Sequence, residues 1–267
     1  MQLVTANLWG RMFRILNILI LSLLISFHAF ASVDCDGTDD YFEDATTTGL
    51  PTGAPVSVGF WFKPDSVTGS RKIIAHGERT GTAKGWSFGT SGDEAFFTTH
   101  GVKDYITTSF TIVTGEWQFL GAYLDTAHDV HFYHWRPSTG TLSTASVFHG
   151  VGMVNPGTGP ITICANDNTT TGTKTTFYDG QVDDIFMINR AMTQADFEAI
   201  FRSKLREMPI QIGVGNLDMY YKLDDKSDGT LLNGVTVKDY SQNANDVVGS
   251  DGGSTLTAKA GEVLSYP

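Results

Sequence analysis

From Val33 onward, short runs of alternating apolar and polar residues recur, separated by turn residues. Val56 to Pro64 (VSVGFWFKP) shows the pattern best. Val58, Phe60 and Phe62 fall on one face there, and Gly59, Trp61 and Lys63 on the other, because successive side chains of a strand point to opposite sides. The first face is wholly apolar and reads as an inter-sheet core, which puts Trp61 on the opposite face, either open to a ligand or covered by a crossing loop. Val33 to Glu43 reads as a first strand with its exit. Lys72 to His76, Gly85 to Gly89, Ala95 to Thr99, Tyr105 to Phe110 and Glu116 to Leu124 follow as extended runs, as do Val130 to Trp135, Ser146 to Val151, Ile161 to Ala165 and Leu217 to Leu223. With no long helical periodicity between them, the pattern predicts an antiparallel sandwich or barrel.

The stretch Tyr178 to Phe201 (YDGQVDDIFMINRAMTQADFEAIF) holds the one short helix. A turn at Asp179-Gly180 leads into a strand carrying Val182, Ile185, Phe186, Met187 and Ile188, with Asp183-Asp184 inside it, and Asn189-Arg190 ends it. Thr193 reads as an N-cap, since its hydroxyl can accept from a free amide of the first turn. Asp196, three residues on, completes a capping-box-like pattern. Phe197, Ile200 and Phe201 then share a helix face.

This stretch resembles the closing strand of the laminin-G-like jelly-roll domains of the concanavalin A-like lectin and glucanase superfamily. Gly180, Asp183, Asp184, Arg190, Ala191, Met192, Thr193, Asp196 and Phe197 match position by position. Asp36, Gly37, Asp40 and Tyr41 match the family's first strand, Cys35 standing where a Phe is usual, and Glu116 to Leu124 aligns with its Gly-x-Trp strand. Leu217 to Leu223 and Asp239 to Asp246 (DYSQNAND) resemble a segment that in the family precedes the first strand, and here it comes last. The resemblance implies an all-β, two-sheet antiparallel jelly-roll sandwich with one short helix after the closing strand. We expect a single domain over residues 32–267, with 209–267 taking the place of the usual first strand by permutation; a truncated second repeat is the alternative.

Residues 1–31 read as a signal peptide: Arg11 and Arg14 precede an apolar run from Ile15 to Ile25, and Ala29-Phe30-Ala31 is a small-x-small cleavage site. The run is too short for a membrane span, which needs about 20 apolar residues. The expected localisation is therefore secreted, extracellular or periplasmic. Without this segment, basic residues fall from 18 to 16 against 29 acids, a net charge of −13. So acidic a surface repels phosphate backbones and argues against nucleic acid as a partner. Cys35 and Cys164 are the only cysteines. They can pair in an oxidising compartment or stay as buried thiols, and the sequence leaves this open, with free thiols the expected state.

Evidence for catalysis is negative. No Glu-x-Asp-x-Glu triplet like that of the superfamily's glucanases occurs, and neither does a Gly-x-Ser-x-Gly elbow, a His-Glu-x-x-His motif or a phosphate-binding glycine loop. His128, His131 and His134 are spaced three apart on a strand, which sends neighbours to opposite faces and argues against zinc. Asp36, Asp39, Asp183 and Asp184 are the candidate metal ligands. The family's first and closing strands are neighbours, and carboxylates gathered at loop ends suit a structural calcium. Turn hydrogen bonds are the other reading of these aspartates. Trp61, Trp86 and Trp135 are candidate sugar-stacking platforms, because aromatic faces suit the apolar faces of sugar rings. The expected function is a secreted, non-catalytic module that binds a glycan or cell-surface polysaccharide. A protein-contact domain without a sugar site and a polysaccharide-cleaving enzyme are the alternatives.

Overall fold

The computed structural model describes residues 31–78, 83–168, 173–201, 217–224, 226–251 and 256–260, all within one compact unit. Residues 1–31, expected to be a signal peptide, lie outside them except for Ala31, which opens the first strand. In chain order the elements are β1 (Ala31–Asp36), β2 (Tyr41–Asp44), β3 (Val56–Pro64), β4 (Ser70–Glu78), β5 (Lys84–Ser91), β6 (Glu94–Thr99), β7 (Lys103–Thr107), β8 (Gln118–Leu124), β9 (Val130–Arg136) and β10 (Thr141–Val147). They continue with β11 (Ile161–Ile163), β12 (Asn166–Asn168), β13 (Thr173–Thr175), β14 (Asp179–Ile188), α1 (Gln194–Phe201), β15 (Met219–Tyr221), β16 (Thr236–Val237), β17 (Val247–Ser250) and β18 (Thr257–Ala260). No helix among the described residues is long and apolar enough to cross a membrane.

The strands form a jelly-roll sandwich of two antiparallel sheets. The first runs β10-β9-β8-β3-β14-β1-β18, with β15 also on β14, and the second runs β16-β17-β2-β11-β4-β5-β6-β7. Alternation along β3 has the predicted result. Val58, Phe60 and Phe62 join Phe88, Phe97, Phe132 and Ile163 in the core between the sheets. Phe60 packs on Phe88 at 5.1 Å between ring centres, and Phe88 on Phe132 at 6.0 Å.

A second apolar cluster lies on the other side of β3, formed by Trp61, Trp117, Phe119, Trp135 and Phe186 with the helix residues Phe197, Ile200 and Phe201. Helix α1 starts as its sequence predicts: Thr193 Oγ1 accepts from the Asp196 amide (3.2 Å), and Asp196 Oδ2 accepts from the Thr193 amide (2.8 Å). Gly59 and Gly121 face each other across β3 and β8. A Cβ on Gly121 would come within 2.5 Å of the Phe197 ring, and one on Gly59 within 2.7 Å of the Phe186 ring. The two glycines therefore form the notch that seats these aromatics.

The C-terminal segment supplies strands to both sheets. β15 pairs with β14, β18 with β1, and β17 with β2. The Asp-x-Ser-x-Asn-x-Asn string is the clasp that holds it. Asp239 Oδ1 accepts from the Tyr220 and Ser241 amides (2.8 Å each), and its Oδ2 accepts from the Asn245 amide (3.0 Å). Asn245 in turn bridges both backbone groups of Thr48, at 2.7 and 2.9 Å.

Three expectations are corrected. Cys35 and Cys164 form a disulfide, with Cα atoms 6.4 Å apart and 129 residues between them in sequence; the thiols are not free because β1 and the end of β11 face each other across the core. The extended run expected from Ser146 to Val151 lies earlier, as β10, because Thr141 to Val147 pairs residue by residue with β9. The stretch Asn166 to Lys174, which reads from its polar residues alone as an exposed loop, instead pairs as the β12–β13 hairpin. Asn168-Thr169-Thr170 reads in the sequence as an N-glycosylation sequon, and its Thr169 and Thr170 lie outside the described residues.

Candidate functional site

None of the three candidate tryptophans offers a ring face to a ligand. Trp61 is 1 % exposed, Trp86 0 % and Trp135 7 %. Trp86 points into the inter-sheet core, stacked on Phe97 at 5.5 Å. Trp61 and Trp135 do leave the inter-sheet core, as alternation requires, but the segment after β14 folds back over them. Trp135 stacks on Phe201 at 4.8 Å, and Trp61 meets Phe119 edge-on at 5.7 Å. An outward-pointing tryptophan is exposed only where nothing crosses it, and alternation cannot see the crossing helix.

The four candidate metal ligands do not converge. Carboxylate oxygens of Asp36, Asp39 and Asp40 lie within 4.8 Å of one another. Two of these groups shape the turn: Asp36 Oδ1 accepts from the amides of Thr38 (2.8 Å) and Asp39 (3.3 Å), and Asp40 Oδ2 accepts from the Asp36 amide (2.9 Å). Register separates the other pair. Asp36 faces Asp179 across β1 and β14, so Asp183 sits four residues farther along, about 13 Å at strand spacing. Asp183 and Asp184 instead build a bulge opposite β3, where Asp184 takes a φ of 48°. Asp184 Oδ1 accepts the Tyr220 hydroxyl at 2.7 Å. Three carboxylates, those of Asp36, Asp39 and Asp40, remain together.

The three histidines also diverge. His134 faces inward, stacked on Phe110 at 4.8 Å and 3.0 Å from Gln118 Oε1, and burial holds its pKa down at about 4. His131 is half-buried, with Ser146 Oγ at 2.8 Å and Asp125 Oδ2 at 3.1 Å.

A pocket of about 250 Å³ opens on the outer face of the second sheet, lined by Ser70, Lys72, Phe96, Thr98, His100, Gly101, Asp104, Asn166 and Thr176. Residue size shapes its floor. Lys72 on β4 and Phe96 on β6 are both level with Gly89 on β5 between them. With no side chain at Gly89, the lysine lies across and its Nζ sits 3.0 Å from the centre of the Phe96 ring. A bulge between Lys72 and Ile74 turns the lysine outward while Ile73 and Ile74 stay in the core. Next along, Thr98 Oγ1 donates to Asp104 Oδ1 at 2.6 Å across β6 and β7. His100 has both ring nitrogens engaged, Nδ1 with the Lys84 carbonyl (3.2 Å) and Nε2 with Ser87 Oγ (3.3 Å).

The β12–β13 hairpin forms the opposite wall. A buried ion cluster fastens it: Lys174 Nζ lies 2.7 Å from Glu43 Oε1 and 3.1 Å from Asp167 Oδ1. Burial alone would lower the Lys174 pKa, but the two carboxylates outweigh it and leave the pKa raised. Beside this cluster Asn166 lines the pocket, 1 % exposed, and its side-chain carbonyl has no hydrogen-bond partner. The sequence reading named none of these pocket residues. Two signals were present: Lys72, a cation opening an otherwise apolar strand, and Phe96, an aromatic on the outward face beside inward Ala95 and Phe97.

The fold has solved counterparts. A candidate carbohydrate-binding protein from Bacteroides ovatus ATCC 8483 superposes with a TM-score of 0.60 at 14 % identity, covering 87 % of this chain and 60 % of that one. The native heptameric SAP-like pentraxin from Limulus polyphemus gives a TM-score of 0.58 at 12 % identity, covering 89 % of this chain and 98 % of that one. At such identities the likeness is one of fold alone, and this chain spans only 60 % of the Bacteroides protein's length. No curated protein matches the sequence. The family model Laminin_G_3 matches residues 36–197, more than half of the chain. The chain therefore belongs to this laminin-G-like family of the concanavalin A-like lectin/glucanases superfamily.

Proposed function

We propose that the protein is a secreted, non-catalytic glycan-binding module whose site is the pocket between β6 and the β12–β13 hairpin. The observation that carries this reading is Asn166. Its amide is buried against a polar cavity with the carbonyl unpaired, and a buried acceptor without a partner costs about 1–3 kcal/mol that a bound hydroxyl would recover. Phe96 adds an aromatic ring, and Thr98, Ser70 and Thr176 add hydroxyls of the kind that fix a sugar's orientation. Asp104 is the one carboxylate among the lining residues, whereas glycoside cleavage usually needs an opposed pair. Secretion rests on the apolar run behind Arg11 and Arg14 and on the Cys35–Cys164 disulfide, a bond of oxidising compartments.

The test is a glycan array probed with the mature domain, once with calcium and once with EDTA, beside Asn166→Ala. Binding in both buffers and its loss in the variant are expected, since none of the four candidate cation ligands lines the pocket. Binding seen only with calcium would transfer the site to the Asp36, Asp39 and Asp40 loop, and no binding would end the glycan reading. One observation favours a second reading, a protein-docking module: Phe148, 72 % exposed, stands with exposed Val151 and Val154 on the segment after β10. Capture of a cognate extracellular protein that Phe148→Ser abolishes would support it.

A further inference from the structure

Two of the three hydroxyl hydrogens around the pocket are already committed to the protein. Thr98 Oγ1 donates to Asp104 Oδ1 at 2.6 Å, and Thr176 Oγ1 donates to the Thr175 carbonyl at 2.7 Å. Each therefore turns only lone pairs toward a ligand. His100 Nδ1 faces a carbonyl, which can only accept, so that nitrogen carries the proton and Nε2 accepts from Ser87. Asp104 is an acceptor when ionised, and the Asn166 carbonyl is an unfilled one. Lys72 supplies the one cationic group of the lining, and its ammonium rests on the Phe96 ring. The lining thus turns acceptors from Thr98, Thr176, Asp104 and the Asn166 carbonyl toward the cavity, beside the donors of Lys72 and Ser70 and the Asn166 amide nitrogen, on a chain of net charge −11. A ligand that fits must bring hydrogen-bond donors and no negative charge.

We propose that the pocket accepts a single uncharged sugar residue through its hydroxyl groups and rejects carboxylated or sulfated sugars, with Asp104, held by Thr98, as the residue that discriminates. This rests on the glycan reading above. The cavity of about 250 Å³ lies below the roughly 300–1,000 Å³ of pockets for drug-sized ligands, which suits one ring rather than a chain laid along a groove. A ligand carboxylate or sulfate would sit against the Asp104 carboxylate and opposite the Asn166 carbonyl, and like charges brought together in an interface are strongly disfavoured.

The experiment is a set of sugars in matched pairs, each neutral sugar beside its uronate and its sulfate ester, titrated into wild type and into Asp104→Asn. Asparagine keeps the shape and can still accept from Thr98, and Asp104 is exposed, so the thermal midpoint should not move. For wild type we expect the neutral member of a pair to bind at least about tenfold tighter than its anionic partner. In Asp104→Asn that ratio should shrink to about threefold or less, whatever the change in neutral affinity. Equal or tighter binding of the anionic partners by wild type, or an unchanged ratio in the variant, overturns this inference while keeping the glycan reading. Failure of every sugar to bind removes the glycan reading itself.

Discussion

The two sheets turn outer faces of opposite character to their surroundings. On the first sheet, α1 with Leu217 and Tyr220 closes over Trp61, Phe119 and Trp135, and the outer face becomes a second apolar core. On the second sheet a short hairpin crosses only part of the face, fastened by Lys174 to Glu43 and Asp167, and a polar pocket stays open beside it. Both faces begin from the same alternation of strands. What differs is the chemistry of the chain that comes back across them: an amphipathic helix seals a face, and an ion-paired hairpin leaves one wall of a cavity. The aromatic-rich face is the structural one here, and the polar face carries the candidate chemistry.

The largest test of that contrast is Phe197→Ala. Phe197 is buried, stacked on Tyr133 at 4.6 Å and seated in the Gly121 notch. Its loss should cost about 3–5 kcal/mol, lowering the thermal midpoint by on the order of 10 °C for a domain of this size. Sugar binding measured well below that midpoint should be unchanged. A variant that kept its stability would show the helix to be a loose cover rather than half of a core.

Acid should act on the interior that the two faces share. Burial holds His76 and His134 to pKa values of about 4, below the ordinary 6.5. Because the folded protein resists protonation at these sites while the unfolded chain does not, stability is complete above about 6.5 and falls as pH drops toward about 4. The loss should be on the order of 3 kcal/mol for the pair after local relaxation. Replacing His134 with Gln should flatten part of this slope in denaturant titrations from pH 7 to pH 4. An unchanged slope would place the acid sensitivity elsewhere.

Lys174→Met probes the polar face alone. It leaves Glu43 and nearly buried Asp167 without their cation, a loss of about 2–3 kcal/mol once Glu43's partial exposure is discounted. It should also displace the wall that carries Asn166, so sugar affinity should fall together with stability. Loss of stability with full affinity would show that the hairpin does not shape the pocket.

How far the sequence shows this contrast depends on which interactions are local. Alternation in VSVGFWFKP assigns Phe60 and Phe62 to the inter-sheet core, and Thr193 with Asp196 marks the helix start; both signals need only near neighbours. The closing-strand and first-strand strings carry the fold. The site residues are set by register and long-range return, which no local pattern holds. Asp36 and Asp183 belong to neighbouring strands yet stand four pairs apart. Trp61 points outward, but α1, more than a hundred residues later, covers it. Cys35 meets Cys164 only because two sheets stack. Lys72 and Asn166 line one pocket across 94 residues of chain (166 − 72), joined by a bulge and a hairpin whose residues read as loop.

The smallest effect belongs to the rim of the sealed face. Asp196 accepts from Arg190 at 2.9 Å and from the Thr193 amide at 2.8 Å, and the Arg190 hydrogen bond leads in holding its pKa at about 2. A carboxylate depressed in the folded state contributes stability above its ordinary 3.8, and that contribution fades as pH falls toward 2. The Arg190 side chain is more than a third exposed, so solvent screening leaves about 1 kcal/mol. Asp196→Asn should therefore lower stability by about that amount at pH 7 and match wild type near pH 2, read from denaturant midpoints at the two pH values. If the deficit persisted undiminished at pH 2, the capping hydrogen bonds rather than the charge would be holding the helix end. The seal over the tryptophans would then rest on neutral contacts from core to rim, and charge would matter only on the opposite face.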